Sequence, residues 1–519
     1  MENNLKIGKY TDLPTAGGRI IYRLLEMLPG MLSWITLAAI VLASFYYPLI
    51  AAIFIILFDI YWLIKTFYLT LHLRVGFTQM RKNMQINWLE KIEDIKNAEY
   101  TVKGVVNWRD IYHLIILPTY KEGPEIISES LEGLIKANYP KEKMIVVIAQ
   151  EERAGEEHNQ EITRRIESKY KDVFYRFLIT KHPSGIEGEQ AGKGSNIAWA
   201  ARQAVRDIIN KYAISHNKVV VSAFDMDTVV HPEYFGVLTY NYLTSVDPLH
   251  ASYQPIPLFT NNIWEAPSFA RVVSFSSTFW QMIQQERPEN LITFSSHSMP
   301  LTALIDIDYW QVNMVNEDSR VFWQCLLRYD GNYRVVPIYY PVSMDANSAP
   351  SFWKTMINVY KQHRRWGYGS ENVPYFLFGF IKNRRIPFAK KFFYTLVVIE
   401  GYWSWATNAL ILFLLGWLPL LVGGSDFNQT VLSFNLPYFT RIIMLLSMFG
   451  LITTSILSII LLPPRPIKYG RHKYIWMVVQ WLLFPLTTIF LGCVPALDAQ
   501  TRLMLGRYMG FWVTPKHRK

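Results

Sequence analysis

Apolar positions along this chain come in two patterns. Residues 28–73 are almost wholly apolar, and residues 392–422, 437–462 and 474–494 repeat that density. Such runs predict membrane-crossing helices, each needing roughly 20 apolar residues. The first run accommodates two, with a turn near Tyr46-Tyr47-Pro48, because the residue before a proline is pushed out of the helical region. Between residues 75 and 385 the apolar runs shorten. Residues 114–117, 144–149 and 219–223 are brief, rich in β-branched side chains and closed by polar residues, as buried parallel strands are, and 174–179 is a further strand candidate. Helical patterns over 125–137, 197–212, 263–285 and 320–329 alternate with them, which predicts an α/β domain.

The helix opened by Pro350-Ser351, residues 351–366, is amphipathic: Phe352, Met356, Val359 and Tyr360 form a stripe suited to a membrane surface. Basic residues flank the α/β part, Arg74, Arg81 and Lys82 before it and Lys382, Arg384, Arg385, Lys390 and Lys391 after it. By the positive-inside rule that part is cytoplasmic, as is the linker carrying Arg465, Lys468, Arg471 and Lys473. The expected organisation is a cytoplasmic segment 1–27, two transmembrane helices in 28–73, a cytoplasmic domain 74–385, a transmembrane region 386–495 and a basic tail 496–519. The basic run Lys516 to Lys519 conflicts with three further crossings, and a re-entrant last segment, interrupted at Pro485, resolves the conflict.

Composition narrows the class. Of 519 residues 51% are hydrophobic and only 18% charged, which exceeds the needs of a soluble enzyme and implies a lipid bilayer. Two isolated cysteines, Cys325 and Cys493, exclude a disulfide framework and a structural zinc site. The net charge of +11 then points to anionic lipid or anionic substrates, with no nucleic acid expected. No removable signal peptide is evident in residues 1–27, so the first span doubles as the insertion signal.

The candidate chemistry centres on Phe224-Asp225-Met226-Asp227, which closes the valine-rich run 219–223. Ligands bind beyond the carboxyl ends of strands in open α/β sheets. Strand alternation would point Asp225 and Asp227 the same way, so that the two could share one hard divalent cation, Mg2+ or Mn2+. The glycine-rich loop 181–196 opens a helix and carries Lys193, a suitable approach for phosphate. Asn316-Glu317-Asp318 precedes another helix, where an acidic pair has an ordinary explanation as cap and dipole complement. Gln362, Arg365 and Trp366 share one helical face on which an amide, a guanidinium and an indole could grip a sugar diphosphate and a sugar ring.

Strand-end acids, Lys193, Asp225-Met226-Asp227, Asn316-Glu317-Asp318 and Gln362-His363-Arg364-Arg365-Trp366, in this order, resemble the membrane-bound family 2 glycosyltransferases, the group of cellulose, chitin and hyaluronan synthases. The resemblance covers about residues 110–370 in motif and the flanking helices in architecture. It implies an α/β GT-A (Rossmann-like) catalytic domain plus transmembrane α-helices, in an integral protein of the plasma (inner) membrane. By resemblance Asp318 is the catalytic base of an inverting transfer from a nucleotide diphosphate sugar to a glycan or lipid-linked acceptor. Thr119, Glu122, Glu151, Lys193, Asp225, Gln362 and Arg365 are then donor-binding, Ser296, His297, Glu317 and Trp366 acceptor-binding, and Asp225 with Asp227 hold the metal.

Three positions depart from the family's pattern. The second strand ends in Gln150-Glu151-Glu152 instead of an Asp-Asp-Gly type motif, which leaves UDP and GDP sugars both open. Asn316 stands for a threonine, and Ser296-His297 for a Cys-Gly pair. Processive polysaccharide synthesis and single addition to a lipid or polyprenyl-linked acceptor both fit the span count. A transporter would concentrate its polar residues within the spans, whereas here they gather in the cytoplasmic part. A noncatalytic membrane scaffold would keep the fold without sugar-nucleotide hydrolysis.

Overall fold

The computed structural model describes residues 6–96 and 99–517, so Arg518 and Lys519 of the basic C-terminal run, and residues 1–5 of the N-terminal segment, lie outside the described residues. The 74–385 region is built on one eight-stranded mixed sheet: β1 (Tyr112–Thr119), β2 (Met144–Glu151), β3 (Arg176–His182), β4 (Val219–Ala223), β5 (Val229–Val230), β6 (Ala251–Leu258), β7 (Ser298–Pro300) and β8 (Arg334–Ser343). Their order across the sheet is β3-β2-β1-β4-β7-β6-β8-β5. The four strands β3, β2, β1 and β4 are parallel, and β7 joins β4 antiparallel through Ser222↔Ser298.

Both faces of β1, β2 and β4 are covered, which is why these strands read as largely apolar runs. On β1, Leu114 and Ile116 enter one core cluster while Ile115 and Leu117 enter the other. On β2, Ile145, Val147 and Ala149 face the first and Met144, Val146 and Ile148 the second. Each fully buried aliphatic side chain stabilises the fold by about 1.5–3 kcal/mol. With no solvated face to mark, the sequence shows no alternation.

Among the described residues, five helices are long and apolar enough to cross a membrane: Ala16–Tyr46, Pro48–Asn83, Phe388–Phe413, Val431–Ile460 and the broken segment His472–Met504. The first begins twelve residues before the apolar run, since 28 − 16 = 12, because Thr15 caps it by accepting from the Gly18 N–H. The turn between the first two falls at Tyr47.

Contacts with the sheet region come from several places outside it. Near the N-terminus, Lys6 pairs with Asp308, and the Ile7 carbonyl accepts from Arg320 at 3.0 Å. Between the fourth and fifth helices Lys468 pairs with Glu265 at 2.7 Å, and at the start of the fifth Lys473 Nζ donates to the Trp264 carbonyl at 2.5 Å. Beyond the fifth, the C-terminal stretch returns to the carboxyl ends of the strands. The helix expected over 351–366 spans Phe352–Gly367, capped by Ser351 accepting from the Lys354 N–H.

Candidate active site

β4 ends at Ala223, whose N–H donates to the His297 carbonyl (3.1 Å), and Phe224 N–H donates to the Ile116 carbonyl (3.1 Å). Residues 225–228 form a turn, closed by Thr228 N–H to the Asp225 carbonyl at 2.9 Å. The alternation expected of a strand therefore does not reach Asp225 and Asp227. The two carboxylates take different partners.

Asp225 belongs to a cluster around Lys193. That lysine opens the helix Lys193–Ala204 and is only 8% exposed. Its ammonium lies 2.6 Å from Asp225 Oδ1, donates to both oxygens of Asp318 (3.0 and 2.9 Å) and stands 3.8 Å from Glu317 Oε1. Burial works against the charge on Lys193, but the carboxylates of Asp225, Asp318 and Glu317 outweigh it and hold its pKa above the ordinary lysine value. For Asp225 burial is again opposed, here by Lys193 and Lys516 and by hydrogen bonds from Lys193 and Ser295, and its pKa is held well below the usual carboxylate range. Glu317 has gone the other way: burial and the neighbouring Asp318 push it up to about 8.

Gly194 permits this closeness. A Cβ there would lie 3.1 Å from both Glu317 Cβ and the Gln311 carbonyl oxygen.

Ser295 Oγ donates to Asp225 Oδ2 at 2.7 Å, while Ser296 sits at φ 65°, bonded through its hydroxyl to Thr228 (3.0 Å). His297 is fully buried; its Nδ1 bonds the Phe294 carbonyl (3.0 Å) and lies 3.8 Å from Asp318 Oδ1. A carbonyl only accepts, so Nδ1 carries the proton and Nε2, which has no partner, does not. Burial lowers the His297 pKa, keeping the ring neutral.

The helix carrying Asp318 is fixed from behind by Glu371, whose Oε1 accepts from the N–H groups of Val315 (3.2 Å) and Asn316 (3.0 Å). Asn316 Nδ2 in turn donates to the Arg365 carbonyl at 3.1 Å. Asn316 thereby ties Asp318 to the helix that carries Gln362, Arg365 and Trp366. The Trp366 ring lies 5.9 Å from Phe294 and 6.3 Å from Phe259. It lines a narrow cavity with Gln362, Asn347 and Asp345.

The acids at the ends of β1 and β2 are occupied locally. Glu122 Oε2 accepts from Thr119 Oγ1 (3.0 Å) and the Tyr120 N–H (2.7 Å), and buried Glu151 is paired with Arg153, whose Nη2 donates at 3.0 Å. Neither Thr119 and Glu122 nor Glu151 touches the Lys193 cluster through any hydrogen bond or ion pair recorded among the described residues.

Sequence reasoning missed two participants. Asp227 is fully buried, and its Oδ2 accepts from the Asp345 N–H at 2.8 Å and from Lys516 Nζ at 2.6 Å. Lys516 arrives with the C-terminal stretch, which crosses the cleft mouth. Gln190 Nε2 donates to the Met509 carbonyl (3.5 Å), Phe511 lies under the Arg365 guanidinium (4.9 Å), and a Cβ on Gly192 would fall 2.6 Å from the Phe511 ring. The glycine that sequence reading assigned to phosphate approach here admits an aromatic ring. Asp345 stands alone in Ser343-Met344-Asp345-Ala346-Asn347, and nothing in that stretch marks it. The only signal for the tail is its basic end.

No protein-family model matches the chain, and no curated protein matches it either. Among solved structures it is similar to the mannosyltransferase PcManGT from Pyrobaculum calidifontis in complex with GDP-Man and Mn2+, at 14% identity over 75% of this chain and 98% of that one, TM-score 0.39. It is also similar to TarS of S. aureus in complex with UDP, at 12% identity over 67% and 90%, TM-score 0.34. GalNAc-T7 with UDP, GalNAc and Mn2+ shares 10% identity over 56% and 58%, TM-score 0.34. TM-scores this low do not establish a shared fold.

Proposed function

We propose that the chain is an integral membrane glycosyltransferase of the family 2 type, with a GT-A catalytic domain, that moves a sugar with inversion from a nucleotide diphosphate sugar to a glycan or lipid-linked acceptor. One observation carries this reading: a single buried ammonium joins the strand-end Asp225 to Asp318 at the start of a helix. A cap or a solvated acidic pair needs no such bridge, whereas a transfer site needs donor and acceptor groups brought together beyond the strand ends.

In this reading Asp318 takes the proton from the attacking acceptor hydroxyl. Its approach to the acceptor is set by the Glu371 and Asn316 clamp behind it. Lys193 and Arg365 oppose the negative charge that develops on the departing diphosphate. His297, neutral and buried beside Asp318, excludes water from the base and offers Nε2 as an acceptor. Glu317, protonated at neutral pH, can donate a hydrogen bond to a sugar hydroxyl. The donor set at the Asp225-Met226-Asp227 turn fits a hard cation, because Asp227 Oδ1 is buried and has no hydrogen-bond partner. Asp225 and Asp227 would hold Mg2+ or Mn2+, which supplies further neutralisation of the diphosphate.

The topology that goes with this reading has both termini, the catalytic domain and the 465–473 linker in the cytoplasm. Ion pairs of Lys6, Lys468 and Lys516 with the sheet region support it, since both ends of the His472–Met504 segment then lie on one side and that segment is re-entrant. Labelling of introduced cysteines should leave those regions protected in intact cells and expose residues 423–430. Purified protein offered a panel of UDP and GDP sugars should release nucleotide from one, with product sizing to separate polymer from single addition. No hydrolysis of any sugar nucleotide would leave the scaffold reading standing.

A further inference from the structure

At the end of β2 a carboxylate, a guanidinium and a phenol ring are assembled in one place. Thr119 pairs with Gln150 across β1 and β2, so Tyr120 and Glu151 follow side by side at the strand ends. Glu151 is 4% exposed, and its backbone is pinned by Asn159, whose Nδ2 donates to the Glu151 carbonyl at 2.9 Å. Glu122 pins the other side by accepting from the Tyr120 N–H. Arg153 lays its guanidinium on both: Nε and Nη2 donate to different oxygens of Glu151, and Cζ lies 4.4 Å from the centre of the Tyr120 ring. Among the described residues the Arg153 side chain makes no other hydrogen bond.

Position gives this group a use. β2, β1 and β4 are neighbours in the sheet, so the ends of β2 and β4 lie two strand spacings apart, about 10 Å. A nucleoside diphosphate spans that distance, with its phosphates at Lys193 and its base at Glu151. What Glu151 accepts from Arg153 is a pair of parallel N–H groups on a flat π system stacked over a phenol. Guanine presents the same pair, N1–H and one N–H of its 2-amino group, on a flat ring. Uracil has a single N–H between two carbonyl oxygens, so one carboxylate oxygen would face lone pairs. Adenine and cytosine carry an amino group beside a ring nitrogen that accepts.

We infer that the donor is a guanosine diphosphate sugar, its base held through N1–H and the 2-amino group by Glu151 and stacked on Tyr120, and that the Arg153 guanidinium fills this place until the nucleotide displaces it. This deepens the proposed function and rests on it for the nucleotide itself. Arg153 can give way because its side-chain hydrogen bonds go to Glu151 alone, whereas Glu151 and Tyr120 are fixed through their backbones. A site matched to two N–H donors discriminates steeply against a base that lacks one, since a buried carboxylate oxygen is then left unpaired.

The test is nucleotide binding to the purified full chain in detergent, by isothermal titration calorimetry with GDP, UDP and IDP in the presence of Mg2+. GDP should bind roughly tenfold tighter than UDP or more, and IDP, which keeps N1–H and lacks the 2-amino group, should fall to roughly the UDP level. Glu151→Gln should bring the GDP and UDP affinities together. Arg153→Met, which leaves Glu151 and Tyr120 in place, should tighten GDP binding several-fold and so checks the site without disturbing the carboxylate. UDP binding as tightly as GDP or tighter, or GDP and IDP binding alike, overturns the inference and leaves a nucleotide-sugar enzyme standing. Unchanged or weaker GDP binding by Arg153→Met overturns it too, because Arg153 then does not occupy the place of the base. Binding of none of the three nucleotides overturns the reading of the cleft as a UDP or GDP sugar site, and this inference with it.

Discussion

Two lysines reach the same short turn from different parts of the chain, and they differ in what holds them. Lys193 begins a helix packed under the sheet, is bonded to two acids and lies beside a third, and can leave only if that helix moves. Lys516 sits near the end of an irregular stretch and holds Asp227 through a bond to Oδ2. The first is part of the scaffold that sets the distance between Asp225 and Asp318. The second is a charge carried in on a strap, the irregular C-terminal stretch. The contrast separates neutralisation built into the scaffold, which shapes a site, from neutralisation carried in on an irregular stretch.

The largest effect should come from removing the proposed base, Asp318, which Lys193 holds. Asp318→Asn should lower transfer by roughly 10³-fold, within the range for general bases, while the affinity for donor stays within a few-fold. Loss of nucleotide-sugar binding in this variant would show that Asp318 is not the base.

Next is the bridge itself. Lys193→Met leaves Asp225 and Asp318 facing each other without their shared cation, and breaking a buried pair in this way typically costs about 3 kcal/mol. The variant should lose transfer by roughly 10²-fold and melt several degrees lower in detergent. Lys516→Met should also melt lower but by less, since Lys516 is ion-paired to one buried acid where Lys193 is ion-paired to three. Equal melting losses in the two variants would erase the distinction between scaffold and strap.

A smaller loss tests the acceptor side. Trp366→Ala should depress transfer to acceptor by roughly tenfold while slow hydrolysis of the donor by water persists, because stacking on a sugar ring contributes about 1–2 kcal/mol. Trp366 has a competing role as a packing residue against Phe259 and Phe294. Equal loss of transfer and hydrolysis, with poor extraction from membranes, would establish the packing role.

The parts of this architecture that local sequence could reveal were those whose signal lies within a few residues. The runs at 144–149 and 219–223 mark β2 and β4 because strands covered on both faces carry no polar position. Lys193, Asp225 and Asp318 stood out as isolated charges at the edges of apolar segments. What local sequence hid depends on long separations. β7 is three residues long and antiparallel, set between strands that no hairpin connects to it. Asp345 meets Asp227 across 118 residues and Lys516 meets it across 289, and neither has neighbours that mark it. The expectation that Asp225 and Asp227 share a face assumed that β4 continues, whereas the turn closed at Thr228 sends them to the two lysines separately.

The finest prediction concerns protons within the Lys193 cluster. Glu317 faces Asp318, Lys193 and Arg365, and burial with the Asp318 charge lifts it to about 8, against about 4.3 in an unfolded chain. Between those values the folded protein binds a proton at Glu317 that the unfolded chain has lost. Stability must therefore fall as pH rises from about 4.5 to about 8, since the slope follows protons bound unfolded minus folded. The group contributes no such slope below that window, where both states are protonated. Melting temperature measured in detergent across pH 5 to 8 should decline in wild type, and Glu317→Gln, neutral at every pH, should flatten the decline. A decline of the same steepness in Glu317→Gln would mean that Glu317 stays ionised, and that Lys193 then balances three negative charges instead of two.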